Sequence, residues 1–110
     1  MKQQFRQGDV LIERVENPAL GKRVRRDKGR VVLAYGEVTG HAHAIAERGA
    51  ELYDTQEETE SLEVRFLRVL ADGGVALSHE EHATITIPQG DYRITRQREY
   101  TPEAIRNVAD

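Results

Sequence analysis

From residue 61 onward, apolar side chains recur at every second position between closely spaced turn residues. That pattern leaves no room for a crossover helix. Leu62, Val64 and Phe66 alternate with Glu63 and Arg65, and Leu67, Val69 and Leu70 continue the run. A period of two is the signature of a strand with one face buried. Asp72-Gly73-Gly74 follows, and glycine there supplies the positive φ that a tight hairpin needs. Val75-Ala76-Leu77 reads as the returning strand, and Ala83 to Ile87 as the next. Pro88-Gln89-Gly90-Asp91 closes that strand, and Tyr92-Arg93-Ile94-Thr95 runs back. The expected arrangement is an antiparallel meander.

The first half fits the same class. Val10 to Val15 forms a first strand, stopped by Asn17-Pro18, because proline lacks a ladder donor and restricts its predecessor. Gly21 to Arg30 is glycine-bounded and strongly basic, and is expected as a loop over about 21–30. Arg30 to Tyr35 is apolar on both faces and suits a buried strand. The chain then runs extended to Ile45, and Ala50 to Tyr53 forms a short strand. Asp54 to Glu60 is an acidic loop whose sign complements the basic one, so the two could pair across a homo-oligomer contact. Thr101-Pro102-Glu103 carries the cap, first-turn proline and acidic residue of a helix start. A helix over about 102–109, with Ala104, Ile105 and Val108 on one face, would plug one end of a barrel. The expectation is a single all-β domain over 1–110, a small antiparallel barrel or jelly roll with a short C-terminal helix.

Composition excludes several functions. The chain has 110 residues and no cysteine, so thiolate metal sites and cysteine nucleophiles are ruled out and any transition metal must bind nitrogen and oxygen. No apolar run is long enough to span a bilayer, and residues 1–8 have no signal-peptide core. A cytoplasmic location without a membrane partner is expected. The formal net charge of -3 gives no global case for nucleic acid. A local case rests on Lys22 to Arg30 with Arg93, Arg96 and Arg98, but no interleaved aromatics offer a stacking platform. There is no serine–histidine–aspartate constellation, phosphate-binding glycine loop or dinucleotide fingerprint.

All four histidines fall in two tight pairs, His41 with His43 and His79 with His82. On a strand, His41, His43 and Ile45 share one face, with the two histidine Cα atoms about 6.6 Å apart. Ala42 and Ala44 leave the opposite face light enough for a close neighbour. His79 and His82, three apart, share one side of a helical or 3₁₀ turn, which Ser78 could cap. Together the pairs suggest one divalent transition ion (Zn, Fe, Mn, Ni or Cu) held by His41, His43, His79 and His82. Glu80 and Glu81 are candidates to orient an imidazole or to act as a general base; the plain alternative is a solvated turn. The zinc-protease pattern His-Glu-x-x-His needs a four-residue separation on a helix, which Ser78-His79-Glu80-Glu81-His82 lacks.

Gly36-Glu37-Val38-Thr39-Gly40-His41-Ala42-His43-Ala44-Ile45-Ala46-Glu47 resembles the first motif of the cupins, a glycine, His-x-His and a glutamate. The resemblance implies a jelly-roll barrel in which His41, His43 and Glu47 bind a metal. Ile87-Pro88-Gln89-Gly90 is similar to the second cupin motif in its Pro-x-Gly, but Arg93 stands where that motif has its histidine. On a straight strand Glu47 would lie roughly 13 Å beyond His43, so only a bend at Ala46 could make it a ligand. The Val-Thr-Gly-His-Ala-His, His-Glu-Glu-His and Arg-Glu-Tyr-Thr-Pro-Glu segments also resemble a group of small bacterial and phage proteins. An open coordination position would make the chain a small metalloenzyme, hydrolytic or oxygenase-like, acting on a small molecule. A closed one would make it a metal-stabilised accessory module. Nucleic-acid binding through the basic stretch is the third expectation.

Overall fold

The computed structural model describes residues 3–36, 40–55 and 63–96, and there the turn residues cut the chain into ten strands. These are β1 (Gln4–Gln7), β2 (Val10–Arg14), β3 (Leu20–Val24), β4 (Val31–Tyr35), β5 (Ala42–Ile45), β6 (Ala50–Thr55), β7 (Glu63–Val69), β8 (Val75–Leu77), β9 (Ile85–Ile87) and β10 (Gly90–Arg96). No helix occurs among the described residues, and no helix long and apolar enough to cross a membrane is among them. The C-terminal helix expected over 102–109 lies outside the described residues.

Six strands form one antiparallel sheet in the order β1-β2-β10-β7-β6-β3. Alternation decides its two faces. Val10, Ile12, Leu52, Leu67, Val69, Tyr92 and Ile94 are all buried, and the register places Ile94 opposite Ile12 and Tyr92 opposite Leu67. The other face carries opposite charges on neighbouring strands, with Arg68 Nε donating to Asp91 Oδ1 at 2.9 Å. The apolar face is covered by two hairpins, β4–β5 and β8–β9. Their Val31, Leu33, Ile45, Val75, Leu77 and Ile87 join the same core as the sheet.

The all-β antiparallel class holds, but the barrel does not close. Strands β1 and β3 stand at opposite edges of an open sheet. Burial does not require closure here, because the hairpins already cover the apolar face. The meander also fails. β10 inserts between β2 and β7, and β8 pairs with β9 rather than returning along β7. A period-two pattern says which face a residue occupies, not which strand lies beside it.

The charged segments are corrected in the same way. Residues 21–24 of the expected basic loop belong to strand β3, paired with β6. The rest is a tight turn in which Asp27 and Arg30 exchange backbone hydrogen bonds of 2.8 and 3.0 Å. Its central residues, Lys28 and Gly29, both have positive φ, as a two-residue hairpin turn demands. Asp54 and Thr55 close β6, and residues 56–60 of the acidic stretch lie outside the described residues.

Asp72-Gly73-Gly74 is a turn that lifts the chain from the sheet into the covering hairpins. Gly74 N–H donates to Ala71 O at 2.9 Å. Gly74 has φ +79°, and a Cβ there would lie 2.6 Å from the Ile87 carbonyl oxygen, whereas a Cβ on Gly73 would meet nothing within 4 Å. Gly74→Ala should therefore lower the unfolding free energy by more than about 1 kcal/mol. Gly73→Ala should stay within about 0.5 kcal/mol of wild type, as read from urea denaturation midpoints.

Candidate metal centre

One backbone bridge joins the two histidine segments. Ala44 N–H donates to Ser78 O, and Ser78 N–H to Ala44 O, each at 3.0 Å. Continuing that antiparallel register outward, His43 faces His79, Ala42 faces Glu80 and His41 faces Glu81. The side chains follow. The His43 and His79 ring centroids are 4.2 Å apart. Glu80 Oε1 accepts the Ala42 N–H at 3.0 Å, and His41 Nδ1 lies 2.9 Å from Glu81 Oε2. His79 is also 5.8 Å from His41 and 4.8 Å from His82, and His43 is 6.0 Å from His82. The fold thus brings all four histidines together.

Two local expectations are replaced. Residues 80–82 form a bend, and no helical or 3₁₀ turn holds His79 and His82. Ser78 is spent on the bridge, with its hydroxyl also donating to Ala44 O at 3.2 Å, so it caps nothing. The light alanine face of β5 does take a close neighbour, since Ala42 and Ala44 pack with Val32 in a small buried cluster.

His43 is 2 % exposed, and its tautomer follows from Gln7. The Gln7 amide nitrogen donates to Leu77 O at 3.0 Å and to Ala83 O at 2.9 Å. Its oxygen therefore accepts, at 2.8 Å, a hydrogen carried by His43 Nδ1. The Nε2 lone pair is left free. Burial, with help from the neighbouring His79, pushes the His43 pKa down to about 4, so the ring is neutral at ordinary pH. In His41 the Glu81 carboxylate can only accept, so Nδ1 carries a hydrogen toward it and Nε2 is the ring nitrogen turned away from that partner. A carboxylate behind the ring is the usual partner of a metal-binding imidazole.

His79 is set differently. Its Nδ1 accepts the Glu81 N–H at 3.0 Å, so Nε2 carries the hydrogen. To bind an ion it must give up that hydrogen bond or exchange tautomer. Hydrogen bonds from backbone amides, chiefly that of Ala42, hold the Glu80 carboxyl below the usual range. An ionised Glu80 with one oxygen anchored is a better ligand than base. Donor atoms of His41, His79 and Glu80 lie within 4.8 Å of one another, a spacing that one ion could draw together. Imidazole nitrogens with a carboxylate oxygen suit divalent transition ions.

Sequence reasoning missed Gln7 and Asp9, and assigned Arg96 to a nucleic-acid stripe instead of to this cluster. Asp9 Oδ1 lies 3.5 Å from His43 Nε2, and Asp9 Oδ2 accepts Arg96 Nε at 3.0 Å. Gly8 makes the approach possible: a Cβ there would sit 2.8 Å from His82 Nε2 and 3.2 Å from His43 Cε1. The only local signal is the Gly8-Asp9 pair, which forms the turn between β1 and β2. Glu47 lies outside the cluster, its Oε1 accepting the Ala76 N–H at 2.6 Å.

The basic stretch lies elsewhere. Arg23, Arg25 and Arg26 line a groove of about 370 Å³ floored by Val24, Val31, Ala50 and Leu52. Arg26 donates there to the Gly29 and Glu47 carbonyls, each at 2.8 Å, and Arg23 lies 3.5 Å from Glu51. Of the other cations, Arg96 is bound to Asp9 and Arg93 is exposed on β10, while Arg98 lies outside the described residues.

The depressed His43 pKa sets a pH dependence. In the unfolded chain histidine protonates near pH 6.5, whereas the folded ring resists to about pH 4. The unfolded state thus binds more protons in that window, and stability falls as pH drops through it. In chelator-treated protein the loss from His43 should reach about 3 kcal/mol by pH 4, and His43→Gln should flatten that part of a urea-denaturation pH profile.

No curated protein matches the chain, and no solved structure matches it. A family model, described as a domain of unknown function (DUF8820), matches residues 6–97. That span takes in every strand from β2 to β10, both histidine pairs and Asp9, and the chain belongs to the DUF8820 family.

Proposed function

We propose that the chain binds one divalent transition metal ion in the histidine cluster and uses it for metal-assisted chemistry on a small molecule. The observation that carries this reading is the cross-strand convergence of His41, His43, His79 and His82, with the His43 tautomer already set to offer Nε2 and the His41 Nε2 turned away from Glu81. Glu80 adds an anionic donor to the four histidines. Glu81 serves by orienting His41. Exposed His82 and Glu80 put one side of the cluster against solvent, which favours a reactive centre over a closed crosslink between strands. A divalent ion in that position would supply Lewis acidity toward whatever reaches it from solvent. The chain's own residues supply placement: Gln7 and Glu81 fix two rings, and the Ala42 N–H fixes the Glu80 carboxylate.

The test is elemental analysis of tag-free protein, followed by thermal melting with and without chelator. About one equivalent of a transition ion is expected. At a free-ion concentration one hundred times Kd, binding should stabilise the fold by about 2.7 kcal/mol, which raises Tm on the order of 10–20 °C. His41→Ala and His79→Ala should lose both the ion and the shift. Full metal retention by both variants would refute the site. Azide binding to the loaded protein tests for an open position, and its absence would favour the structural crosslink.

A further inference from the structure

We infer that Asp9, from the turn between β1 and β2, is a ligand of the same centre, sharing a cation with His43 Nε2 and held in place by Arg96. This rests on the metal-binding reading above and extends its ligand set to a residue that the histidine pattern does not include.

Gln7 places the His43 hydrogen on Nδ1, so Nε2 presents a lone pair to the cluster. Asp9 Oδ1 lies 3.5 Å from that nitrogen. Two acceptors facing each other repel unless something positive lies between them. The separation is informative. Ligands about 2.1 Å from a tetrahedral zinc ion stand about 3.4 Å apart, close to the spacing of these two atoms. Arg96 does not fill the gap, because its Nε binds the other carboxylate oxygen at 3.0 Å. Its effect is to turn Oδ1 toward His43.

The pair repeats the construction seen across the cluster. Each donor has its far atom fixed by an outer partner: His43 by Gln7, His41 by Glu81, Glu80 by the Ala42 amide and Asp9 by Arg96. Outer partners of this kind orient ligands and sustain metal affinity. Gly8 completes the case, since the turn carrying Asp9 approaches His43 and His82 so closely that a Cβ at Gly8 would collide with a ring. Asp9 and Glu80 together would reduce the net charge of a bound divalent ion and temper its Lewis acidity.

The deciding experiment is a crystal structure of the wild-type chain loaded with zinc, with the ion located by anomalous scattering. The expected result is a peak within about 2.2 Å of both Asp9 Oδ1 and His43 Nε2. An ion on the histidines with Asp9 more than 3 Å away overturns the Asp9 assignment and leaves the metal site standing. No ion at the histidines overturns both. In solution, cobalt titration of Asp9→Ala should show at least about ten-fold weaker binding and a changed visible spectrum at saturation. Weaker binding with an unchanged spectrum would make Asp9 a distant charge and not a ligand, and would overturn the inference.

Discussion

The candidate centre depends on the backbone bridge between Ala44 and Ser78. Each of its two hydrogen bonds contributes about 1 kcal/mol net, a modest sum. Its larger effect is on register. With Ala44 opposite Ser78, antiparallel geometry leaves His43 opposite His79 and His41 opposite Glu81. A slip of one residue would turn His79 to the other side of the pair and scatter the cluster. The bridge also ties hairpin β4–β5 to hairpin β8–β9, so the assembly of the covering layer and of the site are the same event.

Burial and polarity are balanced at this junction. His43 is almost fully enclosed, and a charged imidazole there would be costly. The chain keeps it neutral and satisfies its Nδ1–H with Gln7, whose amide is itself fully used by two carbonyls. No buried side-chain polar atom among the described residues lacks a partner. The carboxylates lie farther out: Glu80 and Glu81 are exposed and Asp9 is half-buried, so none carries the full desolvation cost of burial. A neutral inner imidazole beside outer anions is an arrangement that attracts a cation without requiring a buried charge when none is bound.

Much of this was legible in the chain. Alternation identified the inward faces around Leu67, Val69 and Ile94, and the absence of cysteine confined any transition metal to nitrogen and oxygen ligands. The pairing of all four histidines marked two segments that the fold brings side by side. The barrel and the meander failed for a common reason. Nothing local in Tyr92 to Thr95 says that this strand lies between β2 and β7, and nothing in Asp72-Gly73-Gly74 says that the next strand leaves the sheet. The basic stretch misled because Lys28-Gly29 is a turn only once Asp27 and Arg30 pair, and because Arg26 is absorbed by carbonyls from two turns.

The sequence by itself determined the strand class, the faces and the kinds of donor available, because each depends on residues within a few positions of one another. Tertiary structure alone decided which strands adjoin, which imidazole nitrogen carries the hydrogen, that Gln7 and Asp9 reach His43, and that Arg96 reaches Asp9. Gln7 is 36 residues from His43, and Asp9 is 87 from Arg96. Contacts across such separations arise from the burial of a shared apolar core, and no spacing within a short motif encodes them.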